Sequence, residues 1–95
     1  MNINFKKALL YLDKNQHELA ENYLNAAMAD FSGKEHTIEF ISICCCYGEF
    51  LFRMQRSDEA LKYLNRVIDY YQVNAEPEFE YQRACQLVEA FENME

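Results

Sequence analysis

The sequence predicts an all-α fold built from two antiparallel helical hairpins and a fifth helix. The first observation is an internal repeat, because Ala20-Glu-Asn-Tyr-Leu-Asn25 returns forty residues later as Ala60-Leu-Lys-Tyr-Leu-Asn65. The second is the scarcity of chain breakers, with two glycines and one proline in 95 residues. Few breakers favour long helices over short strands joined by turns. A repeat of this length is typical of stacked supersecondary units, so we expect a duplicated hairpin.

The first hairpin is predicted from apolar residues at helical spacing. Helix one is expected over about residues 4–14 and helix two over about residues 16–31. Between them, Asn15 with Glu18 three residues later has the form of an N-cap and capping box. Gly33 is expected to end this hairpin, because glycine is the usual residue just after a helix C-terminus.

The second hairpin begins with the most apolar segment of the chain. Helix three is expected from residue 35 or 36 to residue 54, apolar on nearly every side, which makes it the central helix of a small bundle. Ser57 is predicted to cap helix four, with Asp58 and Glu59 placed favourably in its first turn against the helix dipole.

Helix five is expected over residues 78–93 and has no hairpin partner. Solenoid proteins use such a terminal helix to cover an apolar end, so we interpret it as a capping helix. The residues predicted to face inward are Phe79, Ala84, Leu87, Val88 and Phe91.

The four cysteines are interpreted as free, buried thiols. Three of them are consecutive, Cys44-Cys45-Cys46, and the fourth is Cys85. Neighbouring side chains on a helix point about 100° apart, so the three cannot converge on one metal ion. A disulfide between adjacent residues would strain a helix, which leaves small apolar thiols as the better account. A redox or metal sensor is the alternative, and otherwise no cofactor or metal is expected.

The charge is uneven along the chain. The formal net charge is −7, and residues 69–95 contain Arg83 alone against seven Asp or Glu. An acidic protein does not attract phosphate backbones, so direct nucleic-acid binding is disfavoured, whereas a basic protein partner would be steered toward it. The alternative is a solvated acidic face that only aids solubility. The residues predicted to steer a partner are Glu76, Glu78 and Glu80.

No segment predicts insertion into a membrane. The longest apolar stretch, residues 40–52, is interrupted by polar residues and is shorter than the roughly 20 residues that a bilayer requires. The first residues lack the pattern of a signal peptide. Together with the free thiols, this favours a cytoplasmic protein.

Set in register, the two copies resemble the tetratricopeptide repeat family. That family places small and large residues at fixed positions of a 34-residue helical hairpin. The resemblance implies an α-α superhelix in one domain of residues 1–95, with repeats at about 1–34 and 41–74 and a capping helix at about 78–94. The residues at the family's spacings are Ala8, Tyr11, Ala20, Leu24 and Ala27 in the first repeat and Gly48, Leu51, Ala60, Leu64 and Val67 in the second.

Three departures from the family pattern stand beside that resemblance. The period is forty residues, the proline after the second helix is absent, and Asn4 and Cys44 replace the tryptophan of the first helix. HEAT-like repeats, which have a similar period, are the alternative. Lengthened helices and a longer turn around residues 31–39 would account for the extra residues.

The resemblance implies a concave groove lined by the first helix of each hairpin and by helix five. Such a groove could hold an extended peptide or a partner helix. The alternative is that a chain of five helices closes the groove, which would place Phe5, Leu9 and Phe52 in the core. The groove positions would be Phe5, Lys6, Leu9, Leu12, Asp13, Ser42, Cys45, Glu49, Phe52, Arg53, Phe79, Glu80, Arg83 and Gln86.

One activity of the family is not expected here. Some members grip C-terminal carboxylates with a clamp of lysine and asparagine, whereas this chain has Phe5, Leu9 and Cys46 at the corresponding positions. We therefore do not transfer that activity to it.

The sequence favours a binding protein over an enzyme. Neither His17 nor His36 stands in a metal-binding or nucleophile-activating motif. On charge and size alone, the most concrete hypothesis is a small acidic inhibitor of the immunity type that neutralises a basic toxin such as a nuclease. The alternatives are a small chaperone or adaptor, and a self-associating homodimeric module.

Overall fold

The computed structural model describes residues 1–94, and this range contains five α-helices and no strand. The all-α prediction is therefore confirmed for the described part of the chain. The chain divides into two compact units, an N-terminal unit of Met1–Glu35 and a C-terminal unit that begins at His36. The helices are α1 (Ile3–Asp13), α2 (His17–Asp30), α3 (Ile38–Arg53), α4 (Ser57–Asn74) and α5 (Glu78–Asn93).

In the N-terminal unit, α1 and α2 pack against each other as a hairpin. Ala8 on α1 and Ala20 on α2 are fully buried, as their small side chains predict for a close helix contact. Asn2 caps α1, since its Oδ1 accepts a hydrogen bond from the Phe5 backbone N–H at 3.0 Å. The other buried residues of this hairpin are Phe5, Leu24 and Ala27.

In the C-terminal unit, α3 packs against both α4 and α5, which also pack against each other. The expectation that helix three is central is confirmed, because nine of its sixteen residues are buried. Thr37 caps α3 through its Oγ1, which accepts from the Phe40 N–H at 3.3 Å. The repeat positions buried in the first hairpin are buried again here, at Cys45, Gly48, Ala60, Leu64 and Val67.

The two hairpin turns have the same backbone hydrogen bonds. After α1, Asn15 is left-handed with φ 57°, its N–H donates to the Leu12 carbonyl, and the Gln16 N–H donates to the Tyr11 carbonyl. After α3, Gln55 is left-handed with φ 61° and stands at the equivalent repeat position. This pattern is the Schellman motif that satisfies the last carbonyls of a helix.

The predicted N-caps of α2 and α4 are therefore wrong. The cap of α2 is Gln16 and that of α4 is Arg56, and neither residue makes a side-chain capping hydrogen bond. Asn15 ends α1 instead of starting α2, because asparagine tolerates the left-handed conformation that the Schellman motif requires. Ser57 is the first residue of α4 itself.

The second hairpin has longer helices than the first. When the two copies are aligned with an offset of forty residues, α3 begins five residues before the position equivalent to the start of α1, and both helices end at equivalent residues. In the same alignment, α4 extends four residues beyond the end of α2. The hairpin turn is thus common to both copies, and the additional residues lengthen the far ends of the helices.

The orientation of α5 corrects one prediction. Ala84 and Leu87 are buried, and Val88 and Phe91 are half-buried, as expected, but Phe79 is 77% exposed. Helical geometry explains this, because five residues from Ala84 correspond to a rotation of about 140° away from the buried stripe.

Candidate protein-binding site

Two arginines converge on one carboxylate where α3 meets α5. Arg83 Nε donates to Glu49 Oε1 at 2.7 Å, and Arg53 Nη2 lies 2.7 Å from Glu49 Oε2. The Glu49 side chain is 24% exposed and that of Arg53 is 70% exposed. The hydrogen bond to Glu49 raises the pKa of Arg83 above its ordinary value. Arg83 is thereby held in place on this surface as a permanent cation.

A second set of contacts joins the same two helices near their N-terminal ends. Ser42 Oγ donates to Glu80 Oε2 at 2.7 Å, and Cys45 Sγ donates to the Glu80 backbone carbonyl at 3.7 Å. Residue numbers rise together in the pairs Ser42 with Glu80 and Glu49 with Arg83. The helices α3 and α5 therefore run in the same direction, as the first helices of successive hairpins do.

Most of the groove positions predicted on α3 and α5 meet at this contact. Their polar groups bond to one another, and Arg83 Nη1 also donates to Gln86 Oε1 at 3.2 Å. Phe52 is half-buried, whereas Phe79 is exposed. The residues brought together are Ser42, Cys45, Glu49, Arg53, Glu80, Arg83 and Gln86.

The groove positions predicted on α1 differ in exposure. Phe5 is buried, Leu9 and Leu12 are half-buried, and Lys6 and Asp13 are exposed. Lys6 and Asp13 are thus available to solvent, while Phe5 belongs to the core of its hairpin. The role of the α1 set as part of a binding groove stays a prediction.

The three predicted steering carboxylates lie in different surroundings. Glu76 is exposed in the connection between α4 and α5, whereas Glu80 is half-buried against Ser42. Glu78 is held on both oxygens, since Oε2 accepts from Tyr71 Oη at 2.6 Å and Oε1 accepts from Gln82 Nε2 at 2.7 Å. The hydrogen bond to Glu78 raises the pKa of the Tyr71 hydroxyl.

The sequence did not predict the pair of stacked tyrosines next to Glu78. Tyr71 on α4 stacks on Tyr81 on α5, with ring centroids 3.8 Å apart and planes 8° apart. The spacing of Glu78 and Gln82, four residues apart on one helix face, could have indicated their hydrogen bond. The Tyr71–Tyr81 pair depends on how α4 and α5 pack, which spacing along the chain does not reveal.

The cysteine run has the environment of structural thiols. All four cysteines are free, and Cys44 and Cys45 are buried. Burial raises the pKa of Cys44 and of Cys45 to about 12 and that of Cys46 to about 11. Thiols of this kind are protonated at neutral pH, and the thiolate is the reactive form. Within residues 1–94, no three His, Cys, Asp or Glu side chains are grouped so as to hold a metal ion.

Two helical hairpins of repeated sequence, the second followed by a helix that runs parallel to α3, define a helical-repeat protein. The tetratricopeptide repeat family matches residues 2–29 and 41–74, about two thirds of the chain. The chain belongs to this family, whose repeats form a non-enzymatic interaction fold that binds other proteins or peptides. Comparisons with curated proteins and with solved structures give no significant match. Over residues 1–94, no helix is long and apolar enough to cross a membrane.

Proposed function

We propose that this chain is a protein-binding module for a basic protein, acting as a small acidic inhibitor of the immunity type. The observation that carries the proposal concerns Arg83, the only Lys or Arg among residues 69–94. Its guanidinium is already bonded to Glu49, whereas Glu76 and Glu78 are exposed in a segment that supplies no other basic side chain. A basic partner would supply that missing positive charge.

The position of the acidic residues on α5 supports a role in binding. Its last turn contains no basic residue, and Glu89 and Glu92 are exposed near its C-terminal end. Negative charge at a helix C-terminus opposes the helix dipole and costs typically 0.3–1 kcal/mol. These carboxylates therefore weaken their own helix slightly, and they add to the negative field around α5, to which Glu76, Glu78 and Glu80 contribute at the other end of the helix.

The proposed mechanism has two steps. The carboxylates around α5 first raise the rate of encounter with a basic surface, because complementary charge steers association. Contact then covers the basic surface of the partner, which for a nuclease is the surface that binds phosphate. Such an inhibitor needs no chemistry of its own.

The proposal is tested by identifying the partner and then measuring its association. Immobilised chain is used to capture proteins from the native host at low salt, and the captured protein is purified and mixed with this chain in stopped-flow measurements. The proposal requires a basic partner that loses its activity when one equivalent of this chain is bound. An acidic partner, or a complex that leaves the partner fully active, would contradict it.

Two matched triple variants locate the steering charge. The first is Glu76→Gln with Glu78→Gln and Glu80→Gln. The second is Asp69→Asn with Glu89→Gln and Glu92→Gln, which removes the same number of negative charges. We expect the first variant to slow association and to flatten its salt dependence more than the second. Unchanged association rates in both would remove the electrostatic part of the proposal.

A further inference from the structure

Two large apolar side chains are exposed where α4 ends and α5 begins. Val73, in the last turn of α4, is 84% exposed, and Phe79, in the first turn of α5, is 77% exposed. Only residues 75–77 separate the two helices, so both side chains lie at the same end of the α4–α5 pair. We refer to residues 73–79 as the 73–79 corner.

Phe79 does not contribute to the apolar core of the C-terminal unit. The buried stripe of α5 passes through Ala84 and Leu87, and Phe79 lies off that stripe. Aromatic side chains supply large contact areas and are enriched among the residues that carry most of the energy of protein interfaces. A largely exposed phenylalanine on the first turn of a helix is suited to act as such an anchor.

Two carboxylates belong to the 73–79 corner. Glu76 and Glu78 are exposed and alternate along the chain with Ala75, Pro77 and Phe79. Tyr71 and Gln82 hold the Glu78 carboxylate in one orientation, so little side-chain entropy remains to be lost on binding. The corner therefore combines an exposed aromatic ring with two carboxylates. Hydrogen bonds already fix the orientation of one of them, that of Glu78.

The charge pattern selects one occupant. Residues from His36 onward contain five Lys or Arg and eleven Asp or Glu, so a second copy of this unit would bring further negative charge to the corner. Like charge across an interface costs affinity, whereas a basic segment gains it. The complementary ligand combines an apolar side chain with neighbouring Lys or Arg residues.

We propose that the 73–79 corner is the docking surface for a basic segment of the partner protein, with an apolar side chain against Phe79 and neighbouring Lys or Arg at Glu76 and Glu78. This inference rests on the proposed function only in taking the partner to be basic. It adds the location of the contact and the requirement for an apolar residue within the basic segment.

The test uses two synthetic peptides of equal length and equal positive charge, one alternating lysine with leucine and the other alternating lysine with serine. Their binding to the full chain is measured by isothermal titration calorimetry at low salt. We expect the lysine–leucine peptide to bind about tenfold more tightly, which is the effect of one moderate interface anchor. Phe79→Ala should remove most of that difference.

Two variants serve as matched controls. Leu10→Ala truncates an apolar side chain of α1 that is 50% exposed, and it should leave the difference between the peptides unchanged. Glu89→Gln with Glu92→Gln removes two charges roughly 15–20 Å along α5 from Phe79 and should weaken lysine–leucine binding less than Glu76→Gln with Glu78→Gln. Far-ultraviolet circular dichroism confirms that each variant keeps its helices.

The outcomes separate the two proposals. If both peptides bind equally to the wild-type chain, or if Phe79→Ala leaves the preference intact, the docking surface is overturned while a basic partner remains supported. If neither peptide binds at low salt, both the docking surface and the basic partner are contradicted. If the chain instead forms a dimer that strengthens with salt and is lost in Phe79→Ala, the corner binds a second copy and the proposal is wrong.

Discussion

Gly48 on α3 lies so close to Leu64 on α4 that a Cβ at position 48 would stand 2.6 Å from Leu64 Cδ2 and 2.8 Å from its Cγ. Leu64 is fully buried and cannot turn away from the contact without disturbing the core. The carbonyl oxygen of Ala60 lies 3.5 Å from the same point. The absence of a side chain at position 48 therefore allows α3 and α4 to approach this closely.

Gly48→Ala should destabilise the protein although it improves helix propensity. The propensity gain is about 1 kcal/mol, whereas overpacking a filled core costs about 1–3 kcal/mol. We expect a net loss of about 1 kcal/mol in the free energy of unfolding, measured in urea. In a Leu64→Ala background the clash disappears, and Gly48→Ala should then stabilise. A gain in stability in the wild-type background would contradict this contact.

Gln55→Gly should stabilise the second hairpin turn. Gln55 adopts a left-handed conformation with φ 61°, which costs a residue with a Cβ about 1–2 kcal/mol and costs glycine little. Because glycine also loses more entropy on folding, we expect a net gain of about 1 kcal/mol in urea denaturation. Asn15→Gly, at the equivalent position, is the control and should gain less, since asparagine tolerates this conformation. Destabilisation by Gln55→Gly would argue against the Schellman turn.

The stability of the N-terminal hairpin should depend on pH through Asp30. Asp30 Oδ2 accepts hydrogen bonds from Asn2 Nδ2 at 3.0 Å and Asn4 Nδ2 at 2.9 Å, which lower the pKa of this carboxyl below its ordinary value of 3.8. The stabilising contribution of Asp30 is therefore fully present above the pKa that this carboxyl has in the unfolded chain. It is lost as the pH falls through the lower pKa that the carboxyl has in the folded protein.

The measurement compares unfolding at pH 7 and at about pH 3. The wild-type chain should lose more stability between these pH values than Asp30→Ala. Asn4→Ala, which removes one of the two donors, should fall between them. Equal losses in all three proteins would show that Asp30 makes no pH-dependent contribution.

The cysteine run should resist thiol reagents in the folded protein. Burial raises the pKa of Cys44 and of Cys45 to about 12, so the thiolate fraction at pH 8 is very small. Titration with a disulfide reagent at pH 8 should label these two thiols slowly, and addition of urea should accelerate the reaction sharply. Rapid labelling of Cys44 or Cys45 without denaturant would favour the redox-sensor alternative.

Much of the fold could be predicted because the repeat carries its packing residues at fixed spacings. Ala8, Ala20, Leu24 and their second-copy equivalents are buried as the register indicates, and the family match supports the same register. The hairpin turns were harder to predict from the sequence, because asparagine at position 15 is compatible both with an N-cap of α2 and with a left-handed residue after the end of α1. The hydrogen bonds of the Schellman motif resolve that choice in favour of the second.

Equivalent residues of the two repeats also acquire different partners. Tyr23 stacks on Tyr11 with Lys7 over its ring at 5.5 Å, whereas Tyr63 stacks on Tyr47 at 4.8 Å. The position of the aromatic ring repeats along the chain. Its contact depends on which residues the facing helix brings to it.

The sequence by itself determined the helices, the small residues where they approach each other, and the excess of acid at the C-terminal end. Those features depend on local spacing and composition. The tertiary structure alone decided that Arg83 is bound to Glu49 and that Phe79 faces solvent. Both outcomes depend on the direction and rotation of α5 against α3 and α4, and many long-range contacts together set that rotation.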